Sequence, residues 1–376
     1  MPEVFPITAR IAADEFESSR LLSKVASLVG ANPEFNPSDL ASNLPARRES
    51  GFFLYVQERA GRRQTSIVAE VSLRDYAERR IRPHERTLPR KVDALARGLE
   101  SSSLDFSPVF LVHRPNGKAG RFLGSLFGGC RLVSDVTDAA GIRHRILHIP
   151  EEHHTSLQEV YGHIDAFYVA DGHHRLEATL RIWSKSQGRS ESRILCVIAS
   201  DDEIRLKSYN RVVRQVTHPV WALTRLSQAF ERLGDRRSLN LNRREFAVCW
   251  KGQWSYYRSL AASDCGELTD AQFWQEKIFH SIFGIYEPST DPRIEFVEGR
   301  DAAHGVERVV RECRSSLGFV FASPRIEEVY AVADRGQFLP PHSTWFDFKP
   351  RPGLVCREHS HPHFDVQKQT FGEALR

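Results

Sequence analysis

The 376-residue sequence contains no apolar run approaching the roughly 18 residues that a membrane span requires. Its opening, MPEVFPITARIAADEFESSR, shows neither a charged-then-apolar leader nor a small-residue cleavage pattern. Both absences predict a soluble, cytoplasmic chain with no membrane partner. Cysteine is sparse: six residues, at 130, 196, 249, 265, 313 and 356, none in a CxxC spacing. Thiols so placed are expected to be reduced. A dominant charge is also missing. The net charge of +4 gives no support for a nucleic-acid or membrane surface. Lysine is scarce, nine of the 52 basic residues, a bias more simply assigned to codon usage than to phosphate recognition. There are no internal repeats. The glycine-rich GKAGRFLGSLFGGC fits no phosphate-loop spacing and reads as a flexible surface loop.

Ordinary composition remains, 41% apolar and 27% charged, which excludes a disordered or fibrous protein. The length predicts two or three structural units. Residues 1–50 read as a helix, about Ala13 to Leu28, and an irregular arm. GFFLYVQE and TSIVAEVSL, separated by RAGRRQ, read as a hairpin. Pro89 suits the first turn of a helix striped by Val92, Leu95 and Leu99. SPVFLVHRP and RILCVIAS read as strands. Beyond Pro219, ALTRLSQAFERLG and DAQFWQEKIFHSIFGI carry helical spacing, whereas RIEFVEG, GFVFASP and VYAVADRG read as strands. FLPPHSTWFDFKPRPGLV reads as a proline-rich loop, and the last twenty residues as a tail.

One stretch carries chemistry: FYVADGHHRLEATL, Phe167 to Leu180. Phe167 to Ala170 spell a short buried strand; Leu176, Leu180 and Trp183 mark one face of a helix. Between them stand Asp171, Gly172, His173, His174 and Arg175. A strand-to-helix turn is where open α/β sheets place ligands, and a helix N-terminus favours an anion by about 0.3–2 kcal/mol. Arg175 offers a bidentate phosphate contact, the histidines add donors, and Gly172 lets a backbone come close. Asp171 carries the hard oxygen that magnesium prefers. The bland reading is an N-capping Asp with solvated basic residues, but three basic side chains at a helix start oppose the macrodipole. A zinc site at Asp171, His173 and His174 is disfavoured because consecutive residues at a helix start diverge.

RPHERTLPRKVDALARG, YVADGHHRLEATL, SYNRVV and RGQFLPPHSTWFDFKPRPGLV together resemble the signature segments of the DUF1015 family, in order over roughly residues 51 to 355. That family is grouped with the ParB/sulfiredoxin-like fold, and within it the free serine kinases are similar at three of these places. The resemblance implies that Glu85 takes the proton from a substrate hydroxyl. It also implies that Asp171 to Arg175 hold nucleotide phosphates and Mg2+. His84, Asn210, Arg211, His342, Ser343 and Thr344 are then the candidate substrate contacts. Glu85 on its own would be an acidic residue before a helix, favourable there for ordinary electrostatic reasons. The family form has a lysine where this chain has His342.

The fold class expected is therefore α+β: a ParB/sulfiredoxin-like core (51–215) with an N-terminal helix and arm (1–50), a C-terminal α/β subdomain (216–356) returning a loop to the site, and a tail (357–376). The expected function is Mg2+-dependent phosphoryl transfer from ADP or ATP to the hydroxyl of a free amino acid or related acceptor. The alternative is a ParB-like nucleotide-binding regulator with little or no transferase activity; a metal-dependent hydrolase is a third option. Partners are a small molecule and a nucleotide, with nucleic acid not expected and the oligomeric state open. HSHPH at His359 to His363, and the arginine runs AERRIR and DRRSLNLNRRE, read as solvated.

Overall fold

The computed structural model describes residues 1–21, 45–102, 104–185, 192–234, 240–259 and 269–358. Two compact units emerge. The first takes residues 1–83, 87–204 and the described residues from 348 onward; the second takes 84–86 and 205–347. The expected division at 215/216 thus moves to 204/205, and the N-terminal arm joins the first unit. Strand pairing explains both shifts. Arg205–Lys207 pairs with Trp345–Asp347, while Ile7–Ile11 pairs with Val355–Glu358. The histidines of the expected tail, His359 to His363, lie outside the described residues.

The main sheet of the first unit contains β1 (Phe53–Arg59), β2 (Arg62–Ser72), β3 (Ile81–Arg82), β4 (Val109–His113), β5 (Arg131–Thr137), β6 (Arg143–His148), β7 (Phe167–Asp171) and β8 (Arg193–Ser200). Their order is β3-β7-β4-β8-β2-β1-β6-β5, with Val4–Phe5 added on β2. β7 runs parallel to β3 and antiparallel to β4. The expected β1–β2 hairpin is present, turning through Ala60 and Gly61 at φ 48° and 76°. Two positive φ values match the twist of the flanking strands.

The longer helices of the unit are α1 (Pro89–Ser102), α2 (Gly117–Leu126), α3 (His154–Gly162) and α4 (His173–Lys185). On α4, Leu176 is buried in the sheet core, and Leu180 and Trp183 pack against it. Full burial of such a side chain contributes about 1.5–3 kcal/mol. Ala178 and Ile182, on another face, meet Val92, Ala96 and Leu99 of α1. The glycine-rich segment expected as a loop is α2. Asn116 Oδ1 accepts the N–H groups of Lys118 and Ala119 at 3.0 and 3.4 Å, and Ala119 and Leu126 are buried. A side-chain cap and a buried stripe outweigh a glycine cost of about 1 kcal/mol each. In the arm, a strand at Ile7–Ile11 was not foreseen, and the expected helix runs from 15 to 21 within the described residues.

In the second unit, β9 (Asn210–Val213), β10 (Glu231–Gly234), β11 (Glu245–Trp250), β12 (Gln253–Arg258), β13 (Ile294–Val297) and β14 (Leu317–Phe321) form an antiparallel sheet in the order β10-β12-β11-β14-β9-β13. α5 (Pro219–Ala229) and α6 (270–283, π-helical over Gln275–His280) pack on it through Leu226, Phe273, Phe279 and Phe319. α7 (Ala302–Glu312) packs through Val306, Val309 and Val310 into a separate cluster with Val212 and Val320. VYAVADRG, expected as a strand, lies in helix α8 (Ile326–Asp334) and the turn after it. Val329, Tyr330, Val332 and Ala333 are buried there, a one-sided helical spacing that overrides the β preference of valine and tyrosine. ERLG, expected to continue a helix, forms β10.

The architecture is α+β, as expected. Among the described residues no helix is long and apolar enough to cross a membrane.

Candidate functional site

The strand-to-helix turn of the first unit has the expected form. β7 ends at Asp171, α4 begins at His173, and Gly172 joins them at φ 96°. A bulge falls between Val169 and Asp171 in the pairing with β4, and bulges re-aim the residue that follows them. A Cβ on Gly172 would stand 2.7 Å from an Arg175 terminal nitrogen. Glycine is therefore required for its φ, and it also leaves room for the guanidinium folded over it.

Asp171 is the hub of this turn. Its Oδ1 accepts from Lys349 Nζ at 2.6 Å and its Oδ2 from Arg175 at 3.1 Å. The three side chains are each 27–29% exposed. Burial pushes the Asp171 carboxyl pKa up, but the charges of Arg175 and Lys349 together outweigh it and hold the group below its ordinary value. Arg175 also donates to the Pro108 carbonyl at 3.0 Å, and its Nε is a buried donor without an acceptor.

The two histidines play unlike parts. His174 Nε2 accepts the Leu88 N–H at 3.0 Å, just before α1 begins. Burial, then the charges of Lys91 and Arg175, lower its pKa, so a neutral acceptor is the stable form. It holds backbone through that nitrogen rather than donating from it to a ligand. His173 is buried at 8% exposure.

Lys349 is the residue that sequence reasoning missed. The FKPRPG stretch read as loop, yet two buried glutamines fix it. Gln57 Nε2 donates to the Lys349 carbonyl at 2.9 Å, and Gln64 Nε2 to the Phe348 carbonyl at 3.0 Å. Phe348 sits at φ 60° with Arg62 4.3 Å over its ring. The available signal was polar: a buried glutamine in each of two paired strands implies a buried hydrogen-bond partner.

Magnesium can be tested against this geometry. The described residues hold no group of three or more His, Cys, Asp or Glu placed for a metal ion. Mg2+ usually takes one or two carboxylates and completes its shell with water and substrate phosphate. A single Asp171 fits a cation that arrives with a nucleotide, provided that Lys349 or Arg175 yields one carboxylate oxygen. It does not fit a resident ion.

The remaining candidates belong to the second unit. Glu85 forms an isolated parallel bridge with Leu339, whose N–H donates to the His84 carbonyl at 2.8 Å. Glu85 is half-buried. His84 is not exposed: it is 1% accessible, with Nε2 2.9 Å from Thr344 Oγ1. Ser343 Oγ donates to the Pro340 carbonyl at 2.5 Å. Both hydroxyls expected to meet substrate are thus engaged internally. His342, at φ 53°, lies against the rings of Tyr209 and Phe296, at centroid distances of 5.2 and 4.5 Å. Asn210 is buried and accepts the Phe321 N–H at 3.3 Å.

Arg211, His342 and Ser343 do come together. With Tyr209, Asp270 and Trp274 they line a small cleft that is partly open to solvent. Trp274 carried no signal in the sequence, since a helical tryptophan ordinarily reads as core.

A family described as Protein of unknown function (DUF1015) matches residues 41–279, more than half of the sequence, and the chain belongs to it. No curated protein matches. Similar solved structures include a free serine kinase in complex with AMP, at 14% identity and TM-score 0.40 over 76% of this chain and 89% of that one. A free serine kinase variant in complex with ADP gives 14% identity and TM-score 0.41 over 76% and 89%. SbnI with C-terminal truncation from Staphylococcus aureus gives 12% identity and TM-score 0.43 over 82% and 97%.

Proposed function

We propose that the chain is a nucleotide-dependent small-molecule kinase whose phosphate site is the Asp171–Arg175 turn together with Lys349. The observation that carries this reading is the charge at the turn. One carboxylate faces two cations at the N-terminus of a 13-residue helix. An excess of one positive charge and about half a charge from the helix suits the phosphates of ADP or ATP. Arg175 supplies the planar fork and Lys349 a movable point charge.

Transfer needs positioning, charge neutralisation and a base near the acceptor. Mg2+ bound with the nucleotide would neutralise the charge that develops on the transferred group, with Asp171 as its protein ligand. Glu85 is assigned the proton of the acceptor hydroxyl, on the strength of the HER segment. The acceptor is a hydroxyl-bearing free amino acid or a relative of one.

A second reading has its own support. Both Asp171 oxygens are already paired with cations. If magnesium does not displace either, the turn would hold a nucleotide as a conformational ligand, as a ParB-like regulator does, with little or no transfer.

One experiment separates them. The protein is incubated with ADP or ATP, Mg2+ and a pool of hydroxy amino acids, and phosphorus NMR is read for a new phosphomonoester. Its appearance supports the kinase. Nucleotide binding by calorimetry without a new ester supports the regulator. Absence of both ends the assignment of this turn.

A further inference from the structure

We propose that the cleft of the second unit is a binding site for a small monocarboxylate, with Arg211 and Trp274 as its hydrogen-bond donors. Nothing in this cleft depends on the nucleotide reading, because every residue used belongs to the second unit.

Arg211 enters from β9 and is 3% exposed. A guanidinium has five N–H donors. The nearest polar partner recorded for it is Gln275 Oε1, 2.6 Å from one terminal nitrogen. Otherwise its charge lies over the rings of Phe279 and Phe296, 4.5 and 5.5 Å from their centroids. Burial alone pulls its pKa down, to about 9, with no carboxylate opposing the shift. It remains charged at neutral pH. A buried cation matched only by an amide oxygen and ring faces is costly to keep unless an anion visits it.

Trp274 gives a second, independent sign. It lines the same cleft from α6, is 2% exposed, and its indole N–H has no acceptor. Buried indole donors normally find a partner. A guanidinium matched only at Gln275 and an indole N–H without an acceptor on one cleft call for an accepting ligand, and a planar carboxylate matches the fork of arginine.

Asp270 sets the charge of that ligand. It lines the cleft too, but its charge is paired with an arginine of its own: Oδ2 accepts the Arg244 N–H at 2.9 Å, and Oδ1, which has no hydrogen bond, lies 3.2 Å from Arg244 Nε. It leaves Arg211 unneutralised and repels a second negative charge. A monoanion is therefore favoured over a phosphate dianion.

The test uses full-length protein with 15N-labelled tryptophan, the Trp274 indole signal being assigned with Trp274→Phe. Acetate, propionate and inorganic phosphate are titrated separately at constant ionic strength. Saturable movement of that signal with acetate or propionate is expected, and weakening by about tenfold or more in Arg211→Lys, which keeps charge but loses the fork. No saturable movement, equal affinity in Arg211→Lys, or movement with phosphate alone would overturn the assignment. Should Arg211→Lys fail to fold, the wild-type titration still decides. Nucleotide binding, measured separately by calorimetry, distinguishes failure here from failure of the kinase reading.

Discussion

Gly172→Ala tests the turn at its least replaceable atom. At φ 96° an alanine is strained, at roughly 1–2 kcal/mol. The new Cβ would meet the Arg175 terminal nitrogen at 2.7 Å and its Cζ at 3.2 Å. A guanidinium can swing away, so the clash itself is cheap. Swinging breaks its bonds to Asp171 and to the Pro108 carbonyl. Bonds to charged groups contribute about 1.5–3 kcal/mol when buried, but at 27% side-chain exposure a combined loss of about 1–2 kcal/mol is appropriate. The expected cost is about 2–4 kcal/mol. Equilibrium urea unfolding, followed by far-ultraviolet circular dichroism, measures it. The same substitution in an Arg175→Met background should cost only the strain, about 1–2 kcal/mol. An equal cost in both backgrounds refutes the idea that Gly172 makes room for Arg175. A cost below about 0.5 kcal/mol refutes the turn conformation itself.

Three further outcomes follow from the same residues. Lys349→Met should weaken ADP binding about tenfold or more by calorimetry while Lys349→Arg retains most of it; unchanged affinity in Lys349→Met would make this lysine a structural partner of Asp171 only. Stability should carry a pH signature of that pair. The folded Asp171 pKa lies below the ordinary 3.8, so its contribution is present above that value and lost as pH falls through the folded one. The difference in unfolding free energy between wild type and Lys349→Met should therefore shrink as pH falls below 3.8, and a difference constant with pH would contradict the pairing. Glu85→Gln should lower turnover roughly 10²–10⁴-fold with nucleotide affinity unchanged, whereas normal turnover removes Glu85 from the chemistry.

Local signals in the sequence sufficed where one physical cause dominated. The β1–β2 hairpin was legible from Ala60-Gly61 between apolar runs, and α4 from Leu176, Leu180 and Trp183. Where causes compete, the residue letters mislead. Glycines in α2 concealed a helix fixed by Asn116, and the valines of α8 concealed one fixed by one-sided burial. The turn from Asp171 to Arg175 was legible as a unit, yet the role of His174 was not, because Leu88 is 86 residues away in the chain. Lys349 was invisible for the same reason: 178 residues separate it from Asp171. Pairings of that span are set by tertiary packing, about which local periodicity says nothing.

The departure at His342 takes on a different meaning once Lys349 is placed. A histidine standing where the family has a lysine suggests, by sequence, that the phosphate site has lost a cation. In the second unit, however, His342 is packed among the Tyr209 and Phe296 rings. The turn of the first unit has a lysine of its own, fixed through its backbone by Gln57. Without it Asp171 and Arg175 would cancel, and only the helix dipole would remain, worth at most about 2 kcal/mol to an anion. With it, the turn keeps a net positive charge while Asp171 stays ionised, the state in which a carboxylate can exchange an ammonium for a metal ion. On the proposed reading, affinity for phosphate and competence for transfer would meet at Asp171: a kinase must release one of its oxygens from Lys349 or Arg175 in each turnover, and a regulator never needs to.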